Sequence, residues 1–298
     1  MFSTDEQCRN TLKRLRWPMG VECIRCKSKR VFEVATQKKF ECVECGYQFS
    51  VLTQTIFHDT HLPLETWFMA VLLLVEARKG MSALQLKRTL WGLNRGSYKT
   101  AWYLCHRIRR AMKQVEQPML DGTIEMDETY VGGKKLGQGR SWHKRMSNKE
   151  VVIGIRQRNQ GDKPGVVRFF HAEDAKSGTL ARYIQENIST DVDVIVTDEL
   201  PAYQKAVGDH AHETVNHGRK EYVRFGTDIH TNTVENSFSL LKRGIVGSWH
   251  KISAKHLQAY LDEMSFRFDR RKNPDLFVDT LRHMITADPL TFEELTAA

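Results

Sequence analysis

The sequence predicts a mixed α/β protein built from three modules, and three observations lead to this prediction. Four of the six cysteines form two Cys-x-x-Cys pairs near the N-terminus, helix-like segments follow, and strand-like runs then alternate with helix-like ones. We therefore predict domains at residues 1–55, 56–118 and 119–298. A chain of 298 residues with 41% hydrophobic content is long enough to form two or three cores.

The first module has the cysteine spacing of a structural zinc site. Its two pairs are Cys23 with Cys26 and Cys42 with Cys45. Each pair offers two thiolates from one tight knuckle, and the fifteen residues between the pairs leave room for a two- or three-stranded ribbon. Two disulfides would need an oxidising compartment, of which the sequence gives no sign. We therefore predict a zinc ribbon with Zn²⁺ bound by these four cysteines.

The second module has the pattern of a helix-turn-helix. A short helix begins after Ser82, Gly92 and Gly96 bracket a turn, and Ser97 caps a longer basic helix. In this motif the second helix enters the major groove of DNA and nearby cations contact phosphates. The residues that we expect to contact DNA are Ser97, Tyr98, Lys99, Arg107 and Arg110. The alternative is an ordinary helical hairpin with a charged outer face.

The positive charge of the chain lies in its N-terminal part. Residues 1–118 contain 20 Lys and Arg against 10 Asp and Glu, whereas residues 119–298 contain 25 against 26. The net charge of +9 therefore comes wholly from the first two modules. Such an asymmetry indicates an acidic polymer as partner, although a solvated basic surface would have the same composition.

The third module alternates strand-like and helix-like runs, which predicts an α/β domain with a mixed sheet. We predict strands at 122–131, 151–156, 166–170 and 193–197, and helices at 177–188 and 201–207. The chain has no apolar stretch of the ~20 residues that a bilayer requires. Its N-terminus also lacks a secretory hydrophobic segment, so we expect a cytoplasmic, nucleoid-associated protein.

Three acidic residues of the third module are candidates for a metal site. Asp127 and Asp198 end strand-like runs, and Glu235 opens a helix-like segment. Carboxylates from two strand ends and one helix can converge on two hard divalent cations, the arrangement that supports phosphoryl transfer. Lys242 lies two helical turns after Glu235, where it can hold a phosphate. Each acid also has an ordinary explanation, as a turn residue, a helix cap or a solvent-facing residue.

Long motifs around these acids resemble those of DDE transposases from bacterial insertion sequences, in the group that carries an N-terminal zinc ribbon and an ISXO2-like catalytic domain. The matching segments are residues 126–134, 196–203 and 230–244, with further matches at 97–102, Asn216-His217 and 257–263. The likeness follows chain order and spans nearly the whole sequence.

The resemblance implies an RNase H-like catalytic domain in which Asp127, Asp198 and Glu235 hold two Mg²⁺ ions, with Mn²⁺ as a substitute. Asn236 is the alternative to Glu235, but an amide binds Mg²⁺ less strongly than a carboxylate. Lys242 would be catalytic and Arg243 would contact DNA. The implied reaction is metal-dependent cleavage at the terminal inverted repeats of the element, followed by strand transfer to target DNA. The implied partners are double-stranded DNA and further copies of the chain.

Two other functions fit the same pattern. One is a sequence-specific DNA-binding regulator with an inert catalytic domain, although the presence of all three acids argues against inactivation. The other is an RNase H-like nuclease that does not transfer strands.

Overall fold

A computed structural model of the chain describes residues 4–113, 117–132, 149–219 and 221–297. The end of the first acidic motif, residues 133–134, lies outside this part. The chain divides into two compact units, Met1–Lys113 together with Asn273–Ala298, and Gln114–Lys272. The sequence predicts that the last domain extends to residue 298, whereas residues 273–298 belong to the first unit here. The division of that unit into a zinc ribbon and a helical domain stays a prediction.

The N-terminal part of the first unit is a small ribbon that packs on one helix. Helix α1 spans Asp5–Arg16 and is capped by Thr4, whose hydroxyl accepts a hydrogen bond from the amide of Gln7. The strands β1 (Val31–Val34), β2 (Lys39–Cys42) and β3 (Gln48–Phe49) form an antiparallel sheet in this order. Trp17, at the end of α1, packs against the rings of Phe40 and Phe49 at 5.7 and 5.9 Å. The predicted ribbon is present, and it has three strands.

Five helices complete the first unit: α2 (Leu64–Glu76), α3 (Ala83–Trp91), α4 (Tyr98–Met112), α9 (Leu276–Thr286) and α10 (Phe292–Thr296). Ser82 and Ser97 cap α3 and α4 as predicted, because their hydroxyls accept from the amides of Gln85 and Lys99. The turn between these two helices ends at Gly96, whose positive φ of 68° suits glycine.

The second unit is built on a five-stranded mixed sheet. Its strands are β4 (Thr123–Val131), β5 (Glu150–Gln157), β6 (Val167–Ala172), β7 (Val194–Thr197) and β8 (His212–Thr214). Their order is β6-β5-β4-β7-β8; β5 runs antiparallel to β4 and β6, whereas β7 runs parallel to β4 and β8. The predicted RNase H-like, mixed α/β class is confirmed. Each predicted strand and helix between 122 and 207 is present with ends that differ by at most two residues.

Helices cover both faces of this sheet. Helices α5 (Ser177–Asn187) and α6 (Pro201–Ala206) pack on one face. The other face is covered by α7 (Asn232–Gly244), a π-helical turn (Ile245–Trp249) and α8 (Ala254–Asp269). Residues alternate between faces along β4, so Ile124 and Met126 join the core beneath α5 and α6, while Glu125 and Asp127 face α7. Among the described residues, no helix is both long and apolar enough to cross a bilayer.

Candidate active site

The register of the parallel strands brings Asp127 and Asp198 together. Glu125 of β4 pairs with Val196 of the parallel strand β7. Asp127 lies two residues further along β4, and Asp198 lies two residues after Val196, just beyond the end of β7. Because the two segments run side by side in the same direction, the two side chains are adjacent. One carboxylate oxygen from each of Asp127, Asp198 and Glu128 lies within 4.8 Å of the others, which is a spacing that suits a metal ion. We refer to these three residues as the acidic cluster.

Crowding of carboxylates raises their pKa values. Burial, followed by repulsion from Glu128 and Asp198, raises the pKa of Asp127 to about 8. Burial also raises the pKa of Glu128 and that of Asp198 above their ordinary values. Ionisation of these carboxyl groups is therefore disfavoured at this partly buried point, where bulk water screens their mutual repulsion poorly. A divalent cation with oxygen ligands is the group that this donor set fits.

Glu235 lies in the first turn of α7 and belongs to the same electrostatic neighbourhood. After burial and closer groups, its charge contributes to the raised pKa values of both Asp127 and Asp198. Its Oε1 accepts a hydrogen bond from Thr231 Oγ1 at 2.9 Å and lies 3.2 Å from His217 Nε2. Asn236 is exposed, so the helix turns Glu235 rather than Asn236 toward these groups. The group defined by the 4.8 Å spacing nevertheless contains Glu128 in place of Glu235.

A buried glutamate fixes the helix that carries Glu235. Glu125 has no exposed surface, and its Oε2 accepts from the backbone amides of Thr233 and Val234, each at 2.9 Å. Arg158 Nε donates to Glu125 Oε1 at 2.6 Å. These amides belong to the first turn of α7, where backbone amides have no carbonyl partner within the helix. The side chain of Thr231 does not cap the helix, so Glu125 accepts from these amides instead. Strand β4 thus provides two functions: Glu125 anchors the N-terminus of α7, and Asp127, two residues later, belongs to the acidic cluster.

Tyr203 and Leu200 hold the other carboxylates of the cluster. The hydroxyl of buried Tyr203 donates to Glu128 Oε2 at 3.0 Å. The amide of Leu200 donates to Asp198 Oδ1 at 3.0 Å, as expected of an aspartate that precedes a short helix. Glu128 was not among the predicted metal ligands, and no local signal connects it to Tyr203, which lies 75 residues away.

A cavity lies beside the end of β4. It has a volume of about 580 Å³ and is lined by residues of β4, α7 and the π-helical turn, among them Tyr130, Lys242, Val246, His250 and Lys251. The side chain of Lys242 is exposed and points at this cavity, where it is available to an anion. Arg243 is also exposed, and its Nε donates to Ser239 O at 3.3 Å.

The four cysteines of the first unit are positioned as a zinc-ribbon site. Their sulfur atoms form a group within 4.8 Å, with Cys23 and Cys45 3.7 Å apart and Cys26 and Cys42 3.5 Å apart. Four thiolates at Zn–S bonds of about 2.3 Å would be about 3.8 Å from one another in a tetrahedron. The geometry fits Zn²⁺, and we expect these thiolates to bind it.

The start of α4 presents two of the predicted DNA contacts. Tyr98 is 55% exposed, and Lys99 is exposed with its Nζ 4.2 Å from the centre of the Phe292 ring. Ser97 uses its hydroxyl to cap the helix. These three positions remain candidates for contact with DNA.

The two arginines predicted to lie along phosphates differ from each other. Arg107 is only 5% exposed, donates to His58 O at 2.5 Å and lies over the Trp67 ring, so its place is in the helical core. It is not available to phosphates, and we leave it out of the proposed DNA surface. Arg110 Nη1 lies 3.6 Å from Glu294 Oε1. The side chain of Arg110 is partly exposed, so it stays accessible to a phosphate.

Comparisons with known proteins agree with this geometry. Residues 119–269 match the ISXO2-like transposase domain, and residues 3–48 match the transposase zinc-ribbon domain. A protein encoded in the transposable element ISH50 of Halobacterium salinarum is 28% identical over an alignment of 298 positions. The alignment covers 92% of this chain and 94% of that protein. The matched domain contains every member of the acidic cluster and Glu235. The chain therefore belongs to the transposases with an ISXO2-like domain.

Proposed function

We propose that this transposase binds the terminal inverted repeats of its insertion sequence and catalyses metal-dependent DNA cleavage and strand transfer. The observation that carries the proposal is the assembly of Asp127 and Asp198 on adjacent parallel strands, next to the anchored helix that bears Glu235. Three carboxylates with this much mutual repulsion favour a dication over an empty site.

We propose that Asp127, Asp198 and Glu235 hold two Mg²⁺ ions. When bound, the ions supply a water of lowered pKa and stabilise negative charge on the phosphate under attack. Glu235 keeps its orientation through Thr231 and His217, and its helix keeps its position through Glu125. Lys242 offers a cation at the rim of the adjacent cavity, where a DNA phosphate entering the site can be held.

The first unit is the proposed DNA-binding part. The zinc ribbon and the helices α3 and α4 would bind the element ends, with Ser97, Tyr98 and Lys99 facing bases and Arg110 facing a phosphate. Arg243 would contact DNA near the acidic cluster. Because two element ends must be held together for strand transfer, we expect at least a dimer on DNA. The site of action would be the nucleoid.

The test is cleavage of a labelled duplex that ends in the inverted repeat flanking the gene, with Mg²⁺ or Mn²⁺ added. We expect nicking at the repeat end and joining to a second duplex, and a loss of at least about 1,000-fold in Asp198→Asn, since that variant removes a ligand of the reactive centre. Sequence-specific binding without cleavage by wild-type protein would favour the regulator, and cleavage without joining would favour the simple nuclease.

A matched pair of variants tests whether Glu235 or Glu128 is the third metal ligand. Glu235→Gln and Glu128→Gln each remove one charge from the same neighbourhood and keep the side-chain shape. We expect Glu235→Gln to abolish cleavage and Glu128→Gln to retain much of it, because Glu128 already accepts a hydrogen bond from Tyr203. The reverse ranking would make Glu128 the metal ligand and Glu235 the supporting residue.

A further inference from the structure

A small hairpin projects from the chain between β8 and α7. Its two sides meet at an antiparallel bridge between Val223 and His230, and the amide of Arg224 donates to Ile229 O at 3.0 Å. The turn is closed by the amide of Thr227, which donates to Arg224 O at 3.1 Å, and Gly226 has the positive φ of 74° that the turn requires. We call residues 221–230 the exposed hairpin.

Polar anchors at both sides hold this hairpin. Arg158, which also contacts Glu125, donates to the backbone oxygens of Asp228 and His230 at 2.7 and 2.8 Å. On the other side, Arg224 donates to Glu213 Oε2 at 2.5 Å and to the backbone oxygen of Thr214. The position of the hairpin therefore does not depend on burying its apolar side chains.

The tip of the hairpin presents an aromatic ring to solvent. Phe225 is 101% exposed, so its whole side chain is available to a partner. Tyr222 is 57% exposed, and Val223 between them is 46% exposed. A phenylalanine fixed at the end of a rigid turn contributes nothing to the core and keeps its apolar surface in water, which is unfavourable unless a partner covers it.

The hairpin begins next to the candidate active site. The ring of Tyr222 lies 5.5 Å from that of His217, and His217 Nε2 lies 3.2 Å from Glu235 Oε1. Arg219, in the short 3₁₀ turn before the hairpin, is exposed. Aromatic rings, an exposed cation and the proposed catalytic carboxylates thus follow one another along this part of the surface.

We propose that the exposed hairpin binds DNA at the cleavage site, with Phe225 and Tyr222 stacking on bases and Arg219 contacting a phosphate. The inference rests on the proposed function, since it takes DNA as the substrate. A single ring on a narrow tip fits a base step, because inserted apolar side chains unstack bases and aromatic rings replace the lost stacking. A second protein copy would need an interface of at least about 1,200 Å², whereas one aromatic side chain offers only about 150–250 Å².

The experiment uses the full-length protein and duplexes that contain 2-aminopurine at successive positions around the cleaved phosphodiester bond. We expect wild-type protein to change the fluorescence at one or two of these positions. Phe225→Ala should reduce that change and weaken binding by roughly 5- to 150-fold, the loss of one stacked base, whereas Phe225→Trp should retain both. Since the side chain is fully exposed, neither variant should alter folding.

Two controls separate stacking from other effects. Met119→Ala removes an apolar side chain that is 45% exposed and lies outside the proposed DNA-binding unit, and it should leave affinity and fluorescence unchanged. Phe225→Ala should also leave the dependence of binding on salt unchanged, whereas Arg219→Ala should reduce that slope by about 0.9.

Unchanged affinity and fluorescence in Phe225→Ala would overturn the proposal. Loss of self-association without DNA, with DNA binding intact, would also overturn it and identify a second copy as the partner. If wild-type protein shows the fluorescence change but cleaves nothing, the catalytic proposal fails while the hairpin contact stands. The two proposals therefore fail in distinguishable ways.

Discussion

The cysteine cluster and the acidic cluster are both sets of metal-ligating side chains, but the chain assembles them in opposite ways. Four cysteines lie within 23 consecutive residues and meet through two knuckles of one small ribbon. The carboxylates of Asp127, Asp198 and Glu235 are spread over 109 residues and meet only because a five-stranded sheet has formed. One site is made by local chain geometry and the other by tertiary structure.

This difference assigns metal a different role at each site. Around the cysteines the ribbon has few apolar residues, chiefly Trp17, Phe40 and Phe49, so bound zinc is expected to provide much of its stability. The acidic cluster instead lies on a sheet with apolar cores on its faces, and the fold holds the carboxylates together against their repulsion. Metal should therefore build the first site and relieve strain at the second.

Zinc removal should have the largest effect of any change considered. Structural zinc contributes about 10–16 kcal/mol of apparent binding free energy in zinc-finger peptides, so Cys42→Ser should lose zinc and the ordered ribbon. The measurement is zinc content per chain together with NMR spectra of the ribbon residues. Cys8→Ala, which removes a buried cysteine outside the cluster, should keep one zinc per chain. An ordered ribbon in zinc-free Cys42→Ser would show that local packing suffices.

Removal of the anchor at α7 should have the next largest effect. Glu125→Ala leaves Arg158 without its carboxylate and two helix amides without an acceptor, and loss of one partner of a buried pair costs about 3–5 kcal/mol. Urea denaturation at constant m-value measures it. Glu173→Ala breaks an exposed pair with Arg182 and should change stability far less. Equal effects in the two variants would mean that Glu125 does not anchor the helix.

The same contrast explains how much the sequence could predict. The grouping of all four cysteines and the presence of a ribbon between them followed from spacing, because the partners are near in sequence. Four of the five strands of the larger sheet also followed from apolar runs, whereas the short β8 (His212–Thr214) was not predicted. The partnership of Glu125 with α7 did not follow, since the accepted amides lie more than 100 residues away. Nor could a helical pattern show that Arg107 is buried, because His58 and Trp67 reach it from other segments.

The sequence could not show that residues 273–298 join the first unit, for a related reason. An apolar pattern can indicate a helix, but it does not indicate which hydrophobic core the helix joins. In the structure α9 and α10 pack in the first unit, where Phe277 meets Phe68 and Tyr103 donates to Leu290 O at 2.5 Å. Pairings between distant segments depend on the completed surfaces of both partners, which periodicity does not encode.

The smallest predicted effect tests whether the fold holds the acidic cluster against repulsion. The pKa of Asp127 is about 8 in the folded protein and about 3.9 in an unfolded chain, so the folded state binds more protons between these values. Stability from this group is therefore present at low pH and is lost as pH rises through 8. Without added divalent cation, the melting temperature of wild-type protein should fall between pH 5 and 8, relative to that of Asp127→Asn.

At pH 8 the Asp127→Asn variant should melt at a higher temperature than wild-type protein, because it has no carboxylate to ionise at this position. Mg²⁺ should raise the melting temperature of wild-type protein and leave that of the variant nearly unchanged, because a ligand stabilises only the state that binds it. Buffers free of chelator keep zinc in place during these scans. A wild-type pH profile parallel to that of Asp127→Asn would mean that the carboxylates do not repel one another appreciably without metal. The cysteine cluster and the acidic cluster would then differ only in how the chain brings their residues together.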